Sequence, residues 1–461
     1  MLGHHPHGSL HAQHAFGSFQ GRSREGLTLT DRRGMLKAGL AGIAGLSLPD
    51  LLKVRAQADG GTKSGKSVIL LWMAGGPSHI DTWDPKPDRP YMNRGPFGVT
   101  QTKLPGTILC EHLPKQAAML DKFTIIRSVD CRHSNHEPNM VMQTANLANE
   151  PRVNKEAEKY PALASIVAKH HGANDPSMPP YVAFMRSRSH LAFAGYLGKQ
   201  FDPFPGAFQL PLGLSLDRLS ERRSLVGSFD RLRRDLDQGG SLAAMDSHQQ
   251  QAVDMVLGRR AQSAFDIERE PAETRERFGK HLWCQQALIA RRLVEAGVAF
   301  VTIDLSYHTA SGTWDTHGDN IPPYGGIKNG LGPLLPLFDH LITTLVGDLS
   351  ERGLLDNTLV IAMGEFGRTP QMGTQDSTDG RNHWPNIMSM CLAGGGFRHG
   401  QVIGASEPDG GIIRERPVTP GDLAATIFHH FGVPLDVQYL DNRGRPNSVL
   451  ANGGQPLREL V

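Results

Sequence analysis

Ser67-Val68-Ile69-Leu70-Leu71-Trp72-Met73, stopped by Gly75-Gly76-Pro77, decides the fold. A continuous apolar run of this length, closed by turn residues, is the pattern of a strand buried on both faces of a parallel sheet. Phe123-Thr124-Ile125-Ile126, Tyr181-Val182-Ala183-Phe184, Val298 to Leu305, Thr358 to Met363 and Ile387 to Leu392 read the same way. Amphipathic stretches lie between them, at Leu113 to Leu120, Tyr160 to Lys169, Arg277 to Ala296 and Leu331 to Arg352. This alternation predicts an α/β fold with a doubly wound, mostly parallel sheet and helices on both faces. The runs starting at Ser67, Val298 and Thr358 are expected to be neighbouring, mutually parallel central strands with their downstream loops on one edge.

Leu216 to Arg275 breaks the pattern, being highly charged and helical, and reads as a helical insertion or cap over the sheet's carboxyl edge. Its charge run is expected to be a solvated face. Hydrophobic residues at 39% and charged residues at 20% describe a globular enzyme. The formal net charge of +2 gives no support for nucleic acid as a partner. Cys110, Cys131, Cys284 and Cys391 are widely separated and form no zinc cage. A disulfide between Cys110 and Cys131 and buried free thiols both stand as readings of them.

The opening of the chain sets the compartment. Thr30-Asp31-Arg32-Arg33-Gly34-Met35-Leu36-Lys37 precedes an apolar run from Ala38 to Leu48 and reads as a twin-arginine signal. That run is far shorter than the roughly twenty residues a spanning helix needs, so no stable membrane span is expected. Ala56-Gln57-Ala58 offers small residues for cleavage. Residues 1–58 are therefore expected to be signal and pre-sequence, and 59–461 a single α/β domain with its insertion at about 216–275. The predicted partner is the twin-arginine export machinery, and the predicted location periplasmic or extracellular.

In a doubly wound sheet, ligands bind beyond the carboxyl ends of the strands. WDTHGDN (Trp314 to Asn320), GEFGRTP (Gly364 to Pro370) and GRNHWP (Gly380 to Pro385) each follow or flank an apolar run. They gather Asp315, His317, Glu365, Arg368, Arg381 and His383. Carboxylate and imidazole together are the ligands of a divalent metal. The arginines suit a phosphate- or sulfate-like substrate. Two further loops join the edge, Gly75 to Asp84 with Asp81, and Cys131 to Glu137 with Ser134. A helix starting near Pro138 would turn backbone N–H groups toward an oxyanion beside Ser134. Glu365 emerges from a buried strand, where a carboxylate needs a cation or an arginine, and Arg368 competes for it. A metal-free Glu365–Arg368 ion pair with hydrogen-bonded histidines is thus the alternative to a metal site. Asp81 reads equally as a ligand or as a turn cap. His133 and His136 either join the site or order their loop.

The GGPSHIDTWDPKP, WDTHGDN, GEFGRTP and GRNHWP strings, with the twin-arginine leader, closely resemble exported proteins of the domain-of-unknown-function 1501 family. That family resembles a branch of the alkaline-phosphatase-like superfamily, which includes sulfatases and phosphodiesterases. The resemblance implies a three-layer α/β/α sandwich holding one or two divalent ions, zinc-, calcium- or manganese-like, at the sheet's carboxyl edge. It places Glu365, Asp315, His317 and His383 at ligand positions and Ser134 where the superfamily presents its nucleophile. It leaves Asp81 as a displaced ligand, because Gly75-Gly76 stand where an Asp-Asp pair is expected. No CxPSR-type formylglycine signature is present. The implied function is an exported metal-dependent hydrolase of phosphate or sulfate esters, with Arg368 and Arg381 neutralising substrate charge. Its partner would be an anionic small-molecule or glycan ester. The alternative is a catalytically degenerate relative that binds sulfated or phosphorylated glycans.

Overall fold

A computed structural model of the chain describes residues 65–134, 140–149, 157–206, 259–309, 312–320, 322–374 and 376–461. The twin-arginine leader, His136 and Glu137, and positions 216–258 of the expected insertion lie outside the described residues.

Eight strands build the main sheet. They are β1 (Ser67–Trp72), β2 (Phe123–Val129), β3 (Tyr181–Phe184), β4 (Phe204–Pro205), β5 (Phe300–Asp304), β6 (Thr358–Met363), β7 (Met388–Gly394) and β8 (Gln401–Ile403). Their order across the sheet is β8-β2-β7-β6-β1-β5-β3-β4. Every residue of β1, β5, β6 and β7 is buried, which is why those runs are apolar without alternation. β1 lies between β5 and β6 and is parallel to both, with Trp72 level with Asp304 and Met363. The three loops that follow these strands therefore leave from one edge.

β7 departs from the expectation. It runs antiparallel to both β2 and β6, while all other pairings are parallel. An apolar run buried on both faces carries no mark of direction. Direction is set by the connection, and the short GRNHWP loop returns the chain into the sheet from the carboxyl edge.

Helices cover both faces. The side chains of Ile69 and Leu71 on β1 join one core with α2 (Leu282–Ala296) and α3 (Gly332–Glu351). Those of Val68, Leu70 and Trp72 join a second core with α1 (Leu163–His170) and α4 (Pro420–Phe431). The period-two projection of a strand thus divides one apolar run between two layers. The result is a three-layer α/β/α sandwich. Each fully buried large apolar side chain favours the fold by about 1.5–3 kcal/mol.

The amphipathic stretch from Arg277 to Ala296 is two helices, because Gly279 at φ 91° ends Ala272–Phe278 before α2 begins. Helix α4 starts at a capping box, in which Thr419 accepts from the Asp422 N–H and Asp422 accepts from the Thr419 N–H. At the described end of the charge run, Glu268, Arg269, Glu273 and Glu276 are exposed, and Glu270 is buried. Glu270 binds Arg291 at 2.8 Å, Arg352 at 3.1 Å and Arg292, while Arg291 also meets Asp348 on α3 at 2.9 Å. This network clamps the segment's end to α2 and α3. All four cysteines are free and buried, so Cys110 and Cys131 form no disulfide.

Candidate metal centre

The carboxyl edge is organised around Gly75 and Gly76, which turn the chain out of β1. Both have positive φ, 116° and 73°. A Cβ on Gly75 would lie 2.2 Å from the Asp315 backbone nitrogen, and one on Gly76 would lie 2.8 Å from the Phe366 ring. Glycine is required here because two neighbouring loops pack directly on this backbone. The Gly75 peptide is held on both sides: its N–H donates to Glu365 Oε1 at 2.8 Å, and its carbonyl accepts from Arg368 Nη2.

Trp314 fastens the WDTHGDN loop. Its backbone N–H donates to Ala74 O at 3.0 Å, and its buried indole donates to Leu305 O at 3.0 Å. Asp315, buried at the next position, accepts from His317 Nδ1 and forms an ion pair with Arg368, its Oδ1 2.8 Å from Nη2. The carboxylate so fixes the imidazole's rotation and leaves Nε2 pointing away from it. His383 approaches from the GRNHWP loop, where a short antiparallel ladder places His383 opposite Arg368 and Trp384 opposite Gly367. The ring centroids of His317 and His383 are 4.3 Å apart, and Phe366 backs His383 at 4.8 Å. One ligand atom each of Asp315, His317 and His383 lies within 4.8 Å of the others. A carboxylate and two imidazoles at that spacing suit a zinc- or manganese-like ion. The residues present fit the group.

The other expected ligands stand elsewhere. Glu365 is fully buried but outside that triad, engaged by the Gly75 N–H. The expected competitor for it, Arg368, pairs with Asp315 instead. Asp81 is also outside the triad. It forms a fully buried ion pair with Arg381, Oδ2 to Nε 2.7 Å, and accepts from Ser78 Oγ at 2.5 Å. Arg381 spends its remaining donors on the carbonyls of Asn93 at 2.7 Å, Pro370 at 2.8 Å and Thr369 at 3.0 Å. Arg368 likewise donates to Gly76 O at 2.9 Å and Arg381 O at 3.2 Å. Both guanidinium groups are fully buried and hydrogen-bonded within the protein. The Asp81–Arg381 pair ties together loops 300 residues apart.

Ser134 is buried, and its hydroxyl has no hydrogen-bond partner among the described residues. His133 before it is exposed and sits at φ 72°, in the left-handed region. Cys131 is buried; burial, and to a lesser degree the negative charges of Asp130 and Glu365, push its thiol well up, so it is no thiolate.

Two polar groups at this edge escaped the sequence reading. Asp304, the last residue of β5, accepts from the Arg186 N–H at 2.8 Å and meets His190 Nδ1 at 2.8 Å, both side chains fully buried. Its other oxygen has no hydrogen-bond partner among the described residues. A carboxylate closing an apolar strand was the available signal. His79, fully buried, contacts Gly410 O through Nε2 at 2.7 Å, and burial lowers its pKa.

A family model described as "Protein of unknown function (DUF1501)" matches residues 65–461. The chain belongs to this family. No curated protein matches it. Among solved structures, it is similar to a sulfatase from Pseudoalteromonas sp. at 13% identity and a TM-score of 0.35, covering 84% of this chain and 72% of that one. A phosphonate monoester hydrolase from Silicibacter pomeroyi is similar at 13% identity and a TM-score of 0.39, covering 86% and 76%. That of Agrobacterium radiobacter is similar at 11% identity and a TM-score of 0.37, covering 86% and 77%. At this distance the chemistry rests on the chain's own residues.

Proposed function

We propose that this family member is an exported, metal-dependent hydrolase of phosphate or sulfate esters. The observation that supports it is the convergence of Asp315, His317 and His383 at the sheet edge where the Ser134 loop also ends β2. A bound divalent ion would supply Lewis-acid polarisation of the ester. Asp315 holds His317 in one tautomer, with the proton on Nδ1. Arg368 contributes fixed positive charge to the site through Asp315, without touching substrate. Ser134, behind a residue in the left-handed region, is the candidate nucleophile.

A second reading has a specific observation behind it. Both buried arginines are spent on internal acceptors, so neither offers a free N–H to a transferring oxyanion. A protein that binds sulfated or phosphorylated glycans without turnover is consistent with that. Aryl phosphate, aryl phosphodiester and aryl sulfate, each assayed with zinc- and manganese-loaded protein, separate the two. Turnover that Ser134→Ala abolishes supports the hydrolase; binding of a sulfated glycan with no turnover of any ester supports the binding protein.

Export by the twin-arginine route to the periplasm or beyond is part of the proposal and rests on Arg32-Arg33 and the apolar run after them. Changing both arginines to lysine should trap the precursor inside the cell, and unchanged export would refute the signal.

A further inference from the structure

Arg368 sits where an oxygen-ligated cation could sit. Its guanidinium is fully buried and faces mainly oxygens, Asp315 Oδ1 at 2.8 Å, Gly76 O at 2.9 Å, Arg381 O at 3.2 Å and Gly75 O, with His317 Nδ1 3.4 Å from Nη1. A carboxylate with several backbone carbonyls is the donor set a hard divalent cation takes. Glu365 adds a second carboxylate on the far side of the Gly75 peptide. We propose that Arg368 permanently fills this second cation seat, so that the centre formed by Asp315, His317 and His383 holds one divalent ion and not two. The inference rests on the metal-centre reading and fixes its stoichiometry.

Charge and geometry both lead there. A zinc-like ion bound about 2.0–2.2 Å from Asp315 Oδ1 would lie no more than about 5 Å from Arg368 Nη2. A second ion placed deeper would have to expel the guanidinium from its carbonyls, and arginine cannot escape by losing its proton. With Asp315 and Glu365 as the carboxylates and the imidazoles neutral, one divalent ion beside Arg368 leaves the cluster with a net charge of about +1, and a second beside it would raise that to about +3 in a buried place. The ladder that sets His383 opposite Arg368 fixes the arrangement, placing a ligand and the built-in cation on facing positions of two strands. Lysine would keep the charge but could not span the four acceptors with a planar fork.

The test is a metal count. Chelator-treated full-length protein is titrated with Mn²⁺ and with Zn²⁺ by calorimetry, then desalted for elemental analysis. The parent should take one ion per chain. Arg368→Ala, which uncovers Asp315 and the carbonyls of Gly75 and Gly76, should take two; Arg368→Lys should stay at one. Two ions in the parent would overturn the proposal while leaving the metal centre standing, whether or not the variants fold. A folded Arg368→Ala that still saturates at one would overturn it as well. No ion in the parent or any variant would remove the metal centre itself, and the proposal with it.

Discussion

Replacing Asp81 by asparagine separates a structural carboxylate from a metal-binding one. The Asp81–Arg381 pair has no exposed side-chain surface on either partner. The carboxylate takes the Arg381 Nε–H at 2.7 Å and the Ser78 hydroxyl at 2.5 Å, and lies 3.4 Å from Nη2. The three other Arg381 contacts go to neutral carbonyls, so nothing else on this guanidinium balances its charge. Removing one partner of a buried pair leaves an uncompensated charge and costs about 3–5 kcal/mol. That is a large share of the roughly 5–15 kcal/mol by which folded domains are stable. Urea unfolding of parent and Asp81→Asn should show a loss of this size, with bound metal unchanged in the fraction that stays folded. Asp81→Asn with Arg381→Met should recover part of the loss, since an apolar side chain replaces the stranded charge. Full stability in Asp81→Asn, accompanied by loss of metal, would refute the reasoning and return Asp81 to the ligands.

Further outcomes follow from the same geometry. Gly75→Ala should destabilise the fold and displace the WDTHGDN loop, because the added methyl falls 2.2 Å from the Asp315 nitrogen in a backbone conformation that L residues avoid. A drop in melting temperature with weaker metal retention is expected; an unchanged pair of values would show that the turn is not so constrained. Burial, with Lys66 beside it, holds His430 down to about 4, and its Nε2 donates to Ser67 O at 2.9 Å. An unfolded histidine titrates near 6.5, so between that pH and about 4 the unfolded state binds more protons and stability falls as the pH is lowered. His430→Gln should flatten the acid limb of a melting-temperature profile over that window, and an identical limb in the variant would exclude His430 as its source.

Much of the scaffold was legible in the sequence, because burial on both faces demands uninterrupted apolar residues. Tyr181–Phe184 and Thr358–Met363 match the predicted runs at both ends. The reversal of β7 was not legible, since hydrophobicity has no direction. Asp315, His317 and His383 come together because their loops leave one edge, and strand order predicts that much. What sequence could not give was who pairs with whom among buried charges. Arg368, three residues from Glu365, lies nearest it in the chain but binds Asp315; Asp81 finds Arg381 from 300 residues away. Such choices are settled by packing around the Gly75-Gly76 turn, whose glycines read only as a strand stop until the neighbouring loops are placed.

The central claim is that the sheet edge carries a metal centre. Elemental analysis of His317→Ala beside the parent, both equilibrated with zinc or manganese and desalted, tests it most directly. The account predicts metal in the parent and its loss from His317→Ala, because two of three ligands cannot hold the ion through desalting. Metal absent from the parent, or retained in full by the variant, would contradict it.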